Sequence, residues 1–250
     1  DLKKGDTLFV EEEGDKLVIT TEKSIKLGKI SRDITGLDRT SILLYIQSLY
    51  RFGYDEIEIT FKDPLTTYHR TKEKVSVSSV VHKIVSRLIG AEIVDQLENK
   101  ILIKTVVREA EEDFKVILRR AFLLMNEAAN TLLQGIKKQD LNAVSTIEDM
   151  HDNINKFVNF CLRLLNKYGY PDVKKTCVYY HIIASIDKIV DILKYNARDY
   201  IKYKKTFSND TIILMEKINQ SIKMYYELFY VFNSEIIHKL SENRDSIKLM

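Results

Sequence analysis

Proline and glycine are nearly missing from this chain, with two prolines and eight glycines in 250 residues. Little of it is left for linkers or turns, and the composition leans helical. Cysteine is just as scarce. Cys161 and Cys177 make neither a CxxC pair nor a zinc pattern. Cys161 falls on an apolar helical face, where a free thiol acts as a small hydrophobe. That usage suits a reducing compartment, so a cytoplasmic location is expected. There is no run of about 18 apolar residues, and no membrane insertion is expected. The chain starts Asp1-Leu2-Lys3-Lys4 with no Met and no signal peptide, and reads as a fragment of a longer product.

An excess of one charge is lacking too. The formal net charge is +3, from 39 basic and 36 acidic residues. Such a balance supplies no overall pull toward nucleic acid or membrane. Residues 1–72 hold twelve Lys/Arg against thirteen Asp/Glu, so no strongly basic face stands at that end. A basic excess appears only late, at Lys194, Arg198, Lys202, Lys204 and Lys205, with Asp199 among them. It fits a helix C-terminus complementing its own dipole, the alternative being a surface for an anionic partner. Catalytic signatures are also missing: no GxSxG elbow, P-loop, GxGxxG or HExxH occurs, and an enzyme is not expected.

What is present describes a globular chain long enough to bury a real core, 45% hydrophobic and 30% charged. Leu8–Glu11 and Leu17–Thr21 flank Gly14-Asp15, a hairpin signal. A short strand is expected at Ile25–Ile30. Apolar residues at 42, 43, 46, 49 and 52 predict a helix over Thr40–Phe52, capped by Asp38 and stopped by Gly53. Glu56–Phe61 alternates as a half-buried strand, and Pro64 opens a polar loop to about Lys72. Val75–Ile89 has helical spacing ending at Gly90, and Ala91–Val94 pairs with Lys100–Thr105 around Glu98-Asn99. Residues 24–107 therefore read as a small α+β domain.

Past Arg108 only helices are predicted: A over 109–138, B over 141–167 capped by Asp140, C over 172–205, and D from Ser208 nearly to the end. The seam of B is Val144, Ile147, His151, Ile154, Val158, Cys161 and Leu165. That of C is Tyr179, Ile182, Ile186, Ile189, Leu193, Asn196 and Tyr200. That of D is Met215, Ile218, Ile222, Tyr225, Phe229, Phe232 and Ile236. Alternating 3–4 spacings predict antiparallel bundle packing. At roughly 1.5 Å per residue helix D would be a rod of about 60 Å overhanging its neighbours, which predicts a dimer or larger. Its tyrosines read as core rather than as base-stacking platforms.

Asp187 and Asp191 lie one turn apart on one face of C, and Glu148 and Asp152 repeat that spacing on B. Four carboxylates beside one helix–helix seam suit a divalent metal, since hard cations need converging oxygens. His151 would add a nitrogen and favour Zn, Fe or Ni over Ca or Mg. The bland readings are solvated acidic pairs and a buried, satisfied imidazole. Glu148-Asp149-Met150-His151 also matches the Glu-x-x-His of di-iron bundles once, without a counterpart on C.

Ser185-Ile186-Asp187-Lys188-Ile189-Val190-Asp191 resembles the LERIGD segment of PhoU proteins, regulators of phosphate uptake. His151-Asp152-Asn153-Ile154-Asn155 with Phe157 looks like the preceding PhoU helix, although His151 and Asn155 stand where that family has acids. Helix A and Gln139-Asp140-Leu141 match the family's first helix and turn. Ser86–Val94, around Arg87-Leu88-Ile89-Gly90, and Phe52–Ile57 are similar to stretches of archaeal proteins joining a PhoU region to an AbrB-type domain. Leu2-Lys3-Lys4-Gly5-Asp6 and its hairpin resemble the second half of that AbrB-type module.

The resemblance implies an α+β chain. Residues 1–23 would be a partial AbrB-type hairpin, 24–107 the small α+β domain and 108–250 a PhoU-like antiparallel bundle. The second three-helix repeat usual in PhoU proteins would be represented by helix D alone. The resemblance further implies a non-enzymatic regulator of phosphate uptake or signalling, working through contact with phosphate-transporter or sensor-kinase proteins. Metal ions on the bundle, Fe, Zn, Ni or Mg, would be held by Asp187, Asp191, Glu148, Asp152 and His151. The alternative is an AbrB-type transcriptional regulator with the bundle as sensor or oligomerisation domain. DNA would then be bound with the help of an N-terminal segment missing here.

Overall fold

The structure, a computed structural model, describes residues 5, 8–13, 16–20, 28–107 and 111–250. The architecture is α+β: among the described residues eight strands occupy the first part and long helices the second. The chain divides into two compact units. The first takes Asp1–Ser86, Gly90–Val107 and Arg163–Thr176; the second takes Arg87–Ile89, Arg108–Leu162 and Cys177–Met250.

In the first unit, β1 (Phe9–Glu13) and β2 (Lys16–Thr20) pair antiparallel as the sequence predicts, while the Gly14-Asp15 turn lies outside the described residues. A four-stranded sheet follows, built from β3 (Lys29–Asp33), β4 (Glu56–Thr60), β7 (Ala91–Leu97) and β8 (Lys100–Thr105) in the order β3-β4-β8-β7. β3 and β4 run parallel and are joined by helix α1 (Arg39–Phe52), as a parallel pair requires a crossover. Strand alternation sends Ile57, Ile59, Ile101 and Ile103 into the core, where α1 and α2 (Val77–Val85) supply Ile42, Ile46, Val81 and Ile84. The opposite face carries Glu58, bridged by Lys29 and Lys100.

The caps of α1 are those predicted: the Asp38 carboxylate accepts from the Ser41 N–H at 2.7 Å, and Gly53 closes the helix at φ 111°.

Three expectations here need correction. The segment after Pro64 is no plain loop but a hairpin of β5 (Leu65–Tyr68) and β6 (Glu73–Ser76). β-branched Thr66 and Thr67 favour it, and the buried Thr66 hydroxyl donates to the Leu37 carbonyl at 2.6 Å. Val75 belongs to that hairpin, because Ser76 caps α2. The helix predicted to reach Ile89 stops at Val85, and the early strand is shifted to Lys29–Asp33, with 25–27 outside the described residues.

The second unit is helical. α3 (Glu111–Lys138) buries Phe114, Leu118, Phe122, Met125, Ala129, Leu132 and Ile136. Asp140 caps α4 (Leu141–Ser145), accepting from the Asn142 and Ala143 N–H groups at 3.0 Å. Helix B does not run unbroken from 141. The Ser145 and Thr146 hydroxyls donate back to the Asn142 and Ala143 carbonyls, and α5 (Ile147–Tyr168) starts afresh. Its predicted seam is buried throughout from Val144 to Leu165.

The seam of α6 (Thr176–Tyr203) is rotated from the prediction: Ile183, Ile186, Val190, Leu193, Ala197 and Tyr200 are buried. Helix D is not one rod. α7 (Asn209–Tyr230) ends where Val231 turns extended, Asn233 caps a new helix by accepting from the Glu235 N–H at 2.8 Å, and α8 (Ser234–Lys248) folds back. The buried Asn243 amide holds that return by donating to the Lys217 carbonyl at 2.7 Å and the Ser221 hydroxyl at 2.8 Å. α7 runs antiparallel to α3, with Phe229 4.8 Å from Phe122 ring to ring and the Asn219 amide donating to the Ala129 carbonyl. The apolar residues expected to seek another subunit are in part spent here.

Candidate functional site: a carboxylate, lysine and histidine cluster

Two helices of the second unit bring charged residues into one line. On α5 these are Glu148, His151, Asp152 and Asn155, and on α6 Asp187, Asp191, Lys194 and Arg198. Spacings of three and four put each set on one face. The partners descend on α6 as they rise on α5: Glu148 with Arg198, His151 with Asp191 and Lys194, Asn155 with Asp187. The two helices are therefore antiparallel, and all five residues singled out in the sequence lie along their interface.

His151 is the hub, 7% exposed. Its Nε2 lies 3.0 Å from Asp191 Oδ1 and 2.9 Å from Lys194 Nζ, and its Nδ1 lies 3.3 Å from Asp152 Oδ1. Lys194 Nζ can only donate to Nε2 and Asp191 Oδ1 can only accept from it, so the direction at that nitrogen follows the ring's tautomer. The Lys194 ammonium also donates to Asp191 Oδ1 at 2.5 Å, and its side chain is almost wholly buried. Asn155 donates to Asp187 Oδ1 at 3.2 Å and in turn accepts from the buried Asn159 amide at 3.1 Å.

Each remaining acid takes an arginine. Arg87 Nη2 donates to Asp152 Oδ2 at 2.5 Å, and Arg198 grips both oxygens of Glu148, its Nε at 2.8 Å.

The carboxyls respond to these neighbours. Burial alone would raise Asp191, but the bonded Lys194 ammonium and the His151 ring outweigh it and hold that carboxyl below its ordinary value. Asp152 is likewise lowered: its burial penalty is overcome by the His151 hydrogen bond and by the charges of Arg87 and Lys194. Glu148 is lowered first by its hydrogen bonds from Arg198.

As arranged, this donor set does not fit a resident metal. A metal would need the Nε2 lone pair and Asp191 Oδ1, and the Lys194 ammonium already engages both. Among the described residues no group of three or more His, Cys, Asp or Glu side chains is disposed to hold a metal ion. A cavity of about 410 Å³ in this unit is lined by Arg119, Tyr226, Glu227, Tyr230, Val231 and Ile236, none of them from the cluster.

The acids were legible from their spacing, their countercharges were not. Lys194 and Arg198 stand three and seven residues after Asp191, an alternation of sign along one face that marks them as its partners. Arg87, 65 positions from Asp152, gives no such signal. Matched against family models, curated proteins and solved structures, the chain finds no match. No helix among the described residues is long and apolar enough to cross a membrane.

Proposed function

We propose that this chain is a non-enzymatic regulator of phosphate uptake or phosphate signalling, of the PhoU kind, working in the cytoplasm through contact with phosphate-transporter or sensor-kinase proteins. One observation carries the reading: Asp187 and Asp191 of α6 face Asn155 and His151 of the preceding helix across one antiparallel interface, beside the buried seam of α5. The PhoU resemblance implies that relationship. The cluster is close to neutral within itself, four carboxylates against Arg87, Lys194 and Arg198. Such a site supplies bundle geometry rather than reactive groups. The test is co-purification of the full chain with phosphate-transporter and sensor-kinase components from cells grown at high and at low phosphate. Retention of such a component in either state supports the proposal, and its absence in both removes it.

A second reading has its own observation. In the β1–β2 hairpin Val10, Leu17 and Ile19 are 60%, 72% and 62% exposed, a surface that asks for a partner strand pair. An AbrB-type module completed by a second copy would cover it, giving a dimer that binds DNA. Salt-sensitive gel shifts support this alternative, and their absence disposes of it.

A further inference from the structure

We propose that Lys194 is the resident cation of this bundle: its ammonium takes the place between α5 and α6 that a divalent metal would occupy, so that Asp191 of α6 and His151 of α5 are held together without a metal. The proposal stands on the geometry of the cluster, whatever the bundle contacts in the cell.

Lysine is seldom this deeply buried unless its charge is met, because stripping water from an ammonium is costly. Here the side chain, 8% exposed, starts one turn after Asp191 and brings Nζ to 2.5 Å from Asp191 Oδ1 and 2.9 Å from His151 Nε2, with the Tyr195 ring 4.9 Å away. The two atoms it bridges belong to different helices. They are a carboxylate oxygen and an imidazole lone pair, which is the donor pair a transition metal prefers. The ammonium thus meets the same donors a metal would, with hydrogen bonds in place of coordination bonds. The other ring nitrogen, Nδ1, lies 3.3 Å from Asp152 Oδ1, which orients the ring toward the ammonium.

The surrounding charges point the same way. Arg87 on Asp152 and Arg198 on Glu148 already meet the outer acids with monovalent charge from either side. The sequence carries the same substitution of logic: where the resemblance has acids on helix B this chain has His151 and Asn155, and the missing negative charge is matched by a positive side chain supplied from helix C.

Equilibrium dialysis of the full chain against micromolar Zn²⁺ and Ni²⁺, read by elemental analysis, tests this. The wild type is expected to take up no stoichiometric ion. Lys194→Met keeps a long apolar stem but frees Asp191 and His151, and is expected to bind one ion per chain at least about tenfold more tightly than the wild type. Lys194→Arg, which keeps the charge, is expected to gain nothing, and adding His151→Ala to Lys194→Met removes the gain. Stoichiometric binding by the wild type that Asp191→Asn abolishes would overturn the proposal, as would a folded Lys194→Met that binds no better than wild type. If Lys194→Met does not fold, the wild type decides. A melting temperature unchanged by chelator supports a built-in cation, and one that falls with chelator and recovers with Zn²⁺ overturns it.

Discussion

Arg163 and Asp55 meet at 2.6 Å although 108 positions separate them in the chain. The Arg163 side chain is fully buried within the first unit, where it also donates to the Tyr50 and Tyr54 carbonyls at 3.1 and 2.7 Å and lies over the Tyr50 ring. Lys167, one turn on, donates to the same Asp55 oxygen at 2.6 Å. Arg163→Met takes one donor from the Tyr50 carbonyl, which keeps the Gly53 N–H, takes the guanidinium from the Tyr54 carbonyl, and removes one of the two cations on Asp55. Breaking a buried pair costs about 3–5 kcal/mol, and the lower end applies because Asp55 is partly exposed. Denaturant unfolding is expected to show that loss, with Lys167→Met costing less. Equal stability of Arg163→Met and wild type would remove Arg163 from this role.

Gly90 is fixed by its surroundings as well as its backbone. At φ 72° its Cβ would lie 2.0 Å from Val107 Cγ2, while its carbonyl accepts from the Val106 N–H at 2.8 Å. Gly90→Ala is expected to destabilise by about 2 kcal/mol, part clash and part left-handed backbone. Adding Val107→Ala should restore the clash component and leave the backbone component, so the double variant falls between the two in thermal melts.

Glu58 makes the outer face of the sheet sensitive to acid. Lys100, the Ser31 hydroxyl and Lys29 together lower its carboxyl to about 2 from an ordinary 4.5. A carboxyl depressed in the folded state adds stability above its unfolded value and loses it as pH falls through the folded one. The contribution is therefore complete at neutral pH and disappears between about 4.5 and 2. Glu58→Gln is expected to be less stable than wild type at pH 7 and to show a shallower decline across that window. Parallel acid profiles for the two proteins would contradict this.

The α7–α8 return is pinned by one buried amide. Asn243→Ala removes the donor to the Lys217 carbonyl and the Ser221 hydroxyl, and should cost about 1–2 kcal/mol. Hydrogen exchange is expected to accelerate across 234–248 with α5 and α6 unaffected. Unchanged protection in α8 would mean that this amide does not hold the hairpin.

What could be read in the sequence varied with how many ladders it allowed. α1 was legible because Ile42, Ile46 and Leu49 form one stripe between a capping Asp and a left-handed Gly. On α6 two ladders share Ile186, Leu193 and Tyr200, one continuing through Ile182, Ile189 and Asn196, the other through Ile183, Val190 and Ala197. The fold takes the second, which buries an alanine where the first would bury an asparagine amide. The break in helix D was hidden because Val231-Phe232-Asn233 contains neither Gly nor Pro and the apolar spacing runs on through Phe232 to Ile236. Phe232 is in fact 82% exposed. In the cluster, spacing located the acids and the histidine, while the cations that meet them come partly from a turn far away in the chain.

The regulatory reading is tested most directly by the rate of labelled-phosphate uptake in the cell that makes this chain, with its gene intact or deleted, at high and at low external phosphate. A regulatory role predicts that deletion changes the rate of uptake in at least one of the two conditions, and that re-expression of the full chain reverses the change. Identical uptake in both strains at both concentrations would contradict a role in phosphate control.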